Sequence, residues 1–87
     1  MIIYPIGSNM TGVEGSFQTG AGTQSGIVLV SYTTPVAAQI ADRWFVTEQY
    51  HSVTTSRHVN KWLASYGIDR RSCRSTPQDW FDNLLVR

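Results

Sequence analysis

A single cysteine, Cys73, is all the thiol that the 87-residue chain carries. A lone cysteine excludes an internal disulfide framework and cannot supply the paired-ligand spacing of structural zinc sites, so a reducing compartment is expected. Charge is scarce as well: 15% of the residues are charged and the formal net charge is +1. That balance argues against a dedicated DNA-binding domain and leaves a surface suited to an oligomer or a protein partner. Long apolar runs are missing too. The nearest, 27-IVLV-30 and 36-VAAQIA-41, are separated by Ser31, the two threonines and Pro35, far short of the ~20 residues that span a bilayer. The start, 1-MIIYPIGSNM-10, has neither the charged n-region nor the h-region of a cleaved signal. No membrane association and a cytoplasmic location are therefore expected.

What remains is globular in composition, 41% hydrophobic and 11% aromatic. A chain of this length buries roughly 60% of its unfolded surface, so residues 1–87 read as a single domain, with residues 1–10 a candidate flexible segment. Between Gly7 and Gly26 the chain is rich in Gly, Ser, Thr and Gln, and 18-QTGAGTQSG-26 reads as a flexible turn after a strand at 11-TGVEGSF-17. The β-branched density of 27-IVLVSYT-33 predicts a buried strand, and Pro35 marks an edge, bulge or bend. Residues 36-VAAQIA-41, with Val36, Ala38 and Ile40 on one face, and 43-RWFVTEQY-50 then predict a hairpin with its turn at Asp42 and Arg43.

After Tyr50 the apolar period changes from two to about 3.6. Val59, Trp62, Leu63 and Tyr66 form the stripe of a first helix, capped by Thr54, Thr55 or Ser56 and ended by Gly67. A second helix starts at 76-TPQD-79, with Thr76 as N-cap and Pro77 at N1, and buries Trp80, Phe81, Leu84 and Leu85. Residues 68–75 are the basic linker between them. The expected class is α+β: a small antiparallel sheet of three or four strands followed by two helices packed on one face.

The order 31-SYTTPVA-37, a hairpin, then 52-SVTTSRHVNKWL-63 resembles an uncharacterised family of short tailed-phage and prophage proteins. In that family a Ser-Tyr-x-Thr-Pro-Val-Ala strand precedes a Thr-Thr-Ser-Arg-His-x-Asn-x-Trp-Leu helix start. The likeness covers residues 27–63 and implies a phage protein made in the bacterial host cytoplasm. The family has no assigned activity, so the resemblance implies origin and not mechanism.

Chemistry must be read from the residues. Residues 57–74 hold Arg57, Lys61, Arg70, Arg71 and Arg74 against Asp69, a local positive potential fit for acidic protein groups or phosphate. Arg57, Asn60 and Lys61 lie largely off the apolar stripe, and Arg and Asn are base-reading types; an ordinary solvated helix face is the simpler explanation. The N–H groups of the helix start, with Ser56, Arg57 and His58, also suit an anion. Trp44 and Phe45 are adjacent in a strand and point to opposite faces, so one of them is expected to stand exposed as an apolar anchor. A nucleophile at Cys73 has only its flanking arginines in favour, and His51, His58, Cys73 and Asp69 lack metal-ligand spacing. No cofactor is implied. The expectation is a non-enzymatic phage accessory protein that binds and modulates a host or phage protein, the alternative being a nucleic-acid binder using the first helix and the arginines. A homodimer through sheet edges is compatible with either.

Overall fold

Two adjacent strands buried on both faces organise the chain. The computed structural model describes residues 2–85, which run β1 Ile2–Gly7, β2 Met10–Thr19, β3 Gly22–Ser31, β4 Thr34–Ile40, β5 Arg43–Thr47, α1 Val53–Ser65, a 3-10 turn Arg70–Ser72, β6 Arg74–Thr76 and α2 Gln78–Leu84. In β3, Ile27 and Leu29 face one core while Val28 and Val30 face the other. Alternation therefore places apolar side chains on both sides of one strand, and each side needs its own cover.

The helices supply the two covers. Val59, Trp62 and Leu63 of α1 pack with Met10, Leu29, Ala37 and Val46, whereas Phe81 and Leu84 of α2 pack with Val13, Phe17, Val28, Ala38 and Ile40. The expected placement of both helices on one face is thereby corrected: they lie on opposite faces. Each fully buried Leu, Ile or Phe contributes about 1.5–3 kcal/mol, so neither cover is dispensable.

The sheet has six strands in the order β1-β2-β3-β4-β5-β6, against the three or four expected. Residues 2–7, within the segment expected to be flexible, pair antiparallel with β2, and the end of the basic linker forms β6, which pairs parallel with β5. A parallel neighbour requires a crossover, and α1 is that crossover. Only after β6 does the chain pass, at Pro77, to the far face.

The loop expected at 18–26 is a ribbon instead. β2 and β3 stay paired out to Thr19 and Gly22, where the Thr19 hydroxyl donates to the Gly22 carbonyl at 3.0 Å. The β4–β5 turn falls at Ala41 and Asp42, with φ of 51° and 66°, the pair of left-handed residues that a two-residue hairpin turn demands. Pro35 sits at a bulge: Leu29 opposes Ala37 and Val30 opposes Pro35. Val36 is the extra residue, so Val36 and Ala37 both join the α1 core, and the expected grouping of Val36 with Ala38 and Ile40 fails for that reason.

Helix ends follow side-chain chemistry. The cap of α1 is Ser52, whose Oγ accepts from the Thr55 N–H, and not one of the three hydroxyls after it. Gly67, at φ 72°, closes the helix as expected, with Gly67 N–H donating to Ala64 and Ile68 N–H to Leu63, a Schellman end. For α2 the boundary residue is Pro77 without a side-chain cap, and the Thr76 hydroxyl instead donates to Arg74 O at 3.0 Å.

Gly26 is the tightest point of the sheet: a Cβ there would collide with the Gln39 carbonyl and with Ile40. Gly26→Ala should therefore destabilise by at least about 2 kcal/mol in urea unfolding, while Gly20→Ala, which meets nothing within 4 Å, should leave the midpoint nearly unchanged.

Candidate functional site

Both histidines are joined to hydroxyl or amide partners that tie a helix to the sheet. Ser31, buried at the end of β3, has its Oγ 2.8 Å from His58 Nδ1 and 3.1 Å from Thr55 Oγ1, and Ser52 Oγ donates to Thr55 Oγ1 at 3.2 Å. The two segments 31-SYTTPVA-37 and 52-SVTTSRHVNKWL-63 thus meet in one hydrogen-bonded cluster. His58 is engaged through Nδ1 from within the protein.

The second cluster centres on Gln78. Its Oε1 accepts from Thr47 Oγ1 at 2.7 Å and from His51 Nε2 at 2.9 Å, and its Nε2 donates to Pro35 O at 2.7 Å and to Asp82 Oδ1 at 3.0 Å. An amide oxygen only accepts, so His51 carries its proton on Nε2. All four hydrogen-bonding positions of the amide are used. Among the described residues no group of three His, Cys, Asp or Glu converges as metal ligands would, and no helix is long and apolar enough to cross a membrane.

The expected cationic set is divided by the fold. Arg57, Asn60 and Lys61 are exposed on α1, and Arg70 Nη1 reaches Asn60 Oδ1 at 3.4 Å. Arg71 instead pairs with Asp69 at 3.2 Å, whose carboxyl is held below its ordinary value first by the Arg71 N–H and then by the Arg71 side chain. Arg74 lies elsewhere, beside Phe45 on the α2 side. The Cys73 thiol is pushed up chiefly by burial, with the nearby Arg70 opposing and Asp69 adding, so the flanking arginines do not activate it.

Neither aromatic expected to be exposed stands free. Trp44 is half-buried against Trp62 and Tyr66, at ring separations of 5.5 and 5.2 Å, and Phe45 is half-buried against Trp80 at 4.6 Å. With a helix on each face, the sheet has no bare side for either to occupy. The Trp62 indole N–H has no oxygen or nitrogen acceptor among the described residues, and the Trp62 ring meets Trp44 and Tyr66 edge-on, each at 5.5 Å.

Exposed apolar surface lies instead on β1, which forms one edge of the sheet. Ile2, Ile3 and Ile6 are 59%, 68% and 37% exposed. Tyr4 is the strand's anchor: its ring lies across Gly12, where a Cβ would come within 2.7 Å of it, and burial first, then Tyr66 and Glu14, raises its phenol pKa. Beside the β1–β2 turn, Tyr32 is 52% exposed at φ 56°, a costly conformation for an aromatic residue. Its N–H donates to Asn9 O at 2.8 Å and its ring lies 5.8 Å from His58. The density of Ile and Tyr in 2-IIYPIG-7 is the signal that marks this strand, and Pro5 obscures it.

A six-stranded sheet with a parallel sixth strand, one helix per face and a histidine-linked polar pin at each helix defines a two-sided α+β protein with one apolar sheet edge. The chain belongs to a family of unknown function, DUF8033, whose sequence profile matches residues 1–83. Nothing among curated proteins or solved structures matches the chain.

Removing the Gln78 amide strands the Thr47 hydroxyl, the His51 N–H and the Pro35 carbonyl together. Gln78→Leu should cost about 1–3 kcal/mol in chemical denaturation, with the His51 ring resonances shifting in NMR spectra.

Proposed function

We propose that the protein is a non-enzymatic phage accessory protein that modulates a host or phage protein by offering β1 as a docking edge. The observation that carries the reading is the exposure of Ile2, Ile3 and Ile6 on a strand with no neighbour on its outer side among the described residues. An unpaired edge presents a row of backbone donors and acceptors, and proteins ordinarily blunt such an edge with charge, bulges or covering elements. β1 has no charged residue, and its blunting is confined to Pro5 and the register shift between Pro5 and Gly7, which leaves Ile2, Ile3 and Tyr4 as a regular open edge. The partner that fits is an extended, apolar segment of another protein, which would add as a seventh strand and receive the isoleucines in its own side-chain pockets. Phage origin is supported by the resemblance of residues 27–63.

Ile3→Lys combined with Ile6→Lys leaves both cores untouched. The reading expects a bacterial protein retained by the wild type and lost by this variant, with the β1 amides protected from hydrogen exchange when that protein is bound. Retention unchanged by the lysines, or protection elsewhere, would overturn it. A doubled mass in light scattering that the lysines abolish would assign the edge to a second copy of the chain.

A nucleic-acid reading has one observation in its favour: Arg57 and Lys61 are exposed and not ion-paired among the described residues, and Arg70 joins them through Asn60. Phosphate contact there predicts anisotropy binding to labelled DNA or RNA that falls steeply between roughly 50 and 200 mM salt and disappears when Arg70 and Arg71 are reversed to Glu.

A further inference from the structure

At the sheet edge opposite β1, on the α2 side, a groove of about 580 Å³ opens between the tip of the β2–β3 ribbon and the start of β6. Arg43 and Arg74 line it, with Phe45 and Trp80 as its aromatic wall. The register explains their convergence. Arg43 and Phe45 are two residues apart on β5 and share a face, and Arg74 is the partner of Phe45 on β6. One strand spacing across and two residues along put the arginine backbones roughly 8 Å apart, a separation that two long side chains close onto one anion.

Among the described residues no carboxylate lines the groove and neither arginine is ion-paired. The Phe45 and Trp80 rings lie 4.6 Å apart and tilted by 38°, and Trp80 is braced edge-on by Phe81 at 5.1 Å. On the facing wall the single Thr19 hydroxyl proton is shared between the Gly22 carbonyl at 3.0 Å and Gln24 Oε1 at 3.1 Å, and the Gln24 amide N–H₂ has no acceptor among the described residues. Two unpaired guanidinium groups, an aromatic wall and an amide donor in one small-ligand-sized volume match an anion attached to a flat ring. We propose that the groove binds a nucleoside phosphate, with the base against Trp80 and Phe45 and the phosphate on Arg43 and Arg74. Stacking on an aromatic side chain tolerates any base, so the site selects the class and not the sequence. It is independent of the β1 edge.

The test is titration of the full-length protein with AMP, followed by tryptophan fluorescence and by NMR. Saturable shifts of the Trp80 indole and of the amides of residues 74–76 are expected. Adenosine and ribose 5-phosphate should each bind at least about tenfold more weakly, since each lacks one half of the recognition. The exposed double substitution R43A/R74A should lose at least about tenfold in AMP affinity without altering the fold. Comparing thymidine monophosphate with its hexamer separates the sources: a tighter hexamer identifies a single strand, equal affinity a free nucleotide, and both uphold the site. No saturable shift up to roughly 5 mM AMP, ribose 5-phosphate binding as well as AMP, or wild-type affinity in R43A/R74A would overturn the proposal.

Discussion

The rest of the structure depends on the burial of β3 and β4 on both faces. Val28, Leu29, Ala37 and Ala38 are fully inaccessible, and because neighbours along a strand point opposite ways, that burial demands a layer above and a layer below. A single chain of this length can provide two layers only by sending one helix to each side. The parallel pairing of β6 with β5 is the device that permits it: it completes the crossover over one face before the chain turns to the other.

Each layer is then fixed by one polar pin. Apolar contacts alone allow a helix to slide, whereas Ser31 with Thr55 and His58, and Gln78 with Thr47, His51 and Pro35, have directional partners. Satisfied polar networks of this kind specify a unique packing. The residue types that make the first helix start look like a ligand site are those that hold the helix in register. The two sheet edges differ in character, one apolar at β1 and one cationic and aromatic at β6.

Much of this was legible residue by residue. The period-3.6 stripe of Val59, Trp62 and Leu63, the C′ role of Gly67, the β4–β5 hairpin and the apolar set of α2 all follow from local pattern. The opposite-face arrangement was also written in 27-IVLV-30, since four consecutive apolar residues of a strand serve two cores. β1 was obscured because Pro5 and a terminal position read as disorder, and β6 because three residues, Arg74, Ser75 and Thr76, carry no apolar alternation. Pairing with a distant strand decides both, and no local window contains that partner. The site residues divide the same way. Arg57, Asn60 and Lys61 share the helix surface that their spacing implied, whereas the separation of Arg74 from Arg70 and Arg71, and its meeting with Arg43, follow from the β5–β6 register alone.

The β5–β6 pairing also bears on the order in which the protein acquires its parts. Phe45 and Arg74 become neighbours only after the whole of α1 has been laid across the sheet, and contacts between residues so far apart in sequence carry a large loop-closure entropy and form late. The hairpins of β1 to β5, by contrast, close locally. A three-residue edge strand held on one side is also the kind of element that opens first in the native state. Arg43 is thus in place with its hairpin, whereas Arg74 joins it only when β6 docks, so the pairing of the two arginines is coupled to the completion of folding.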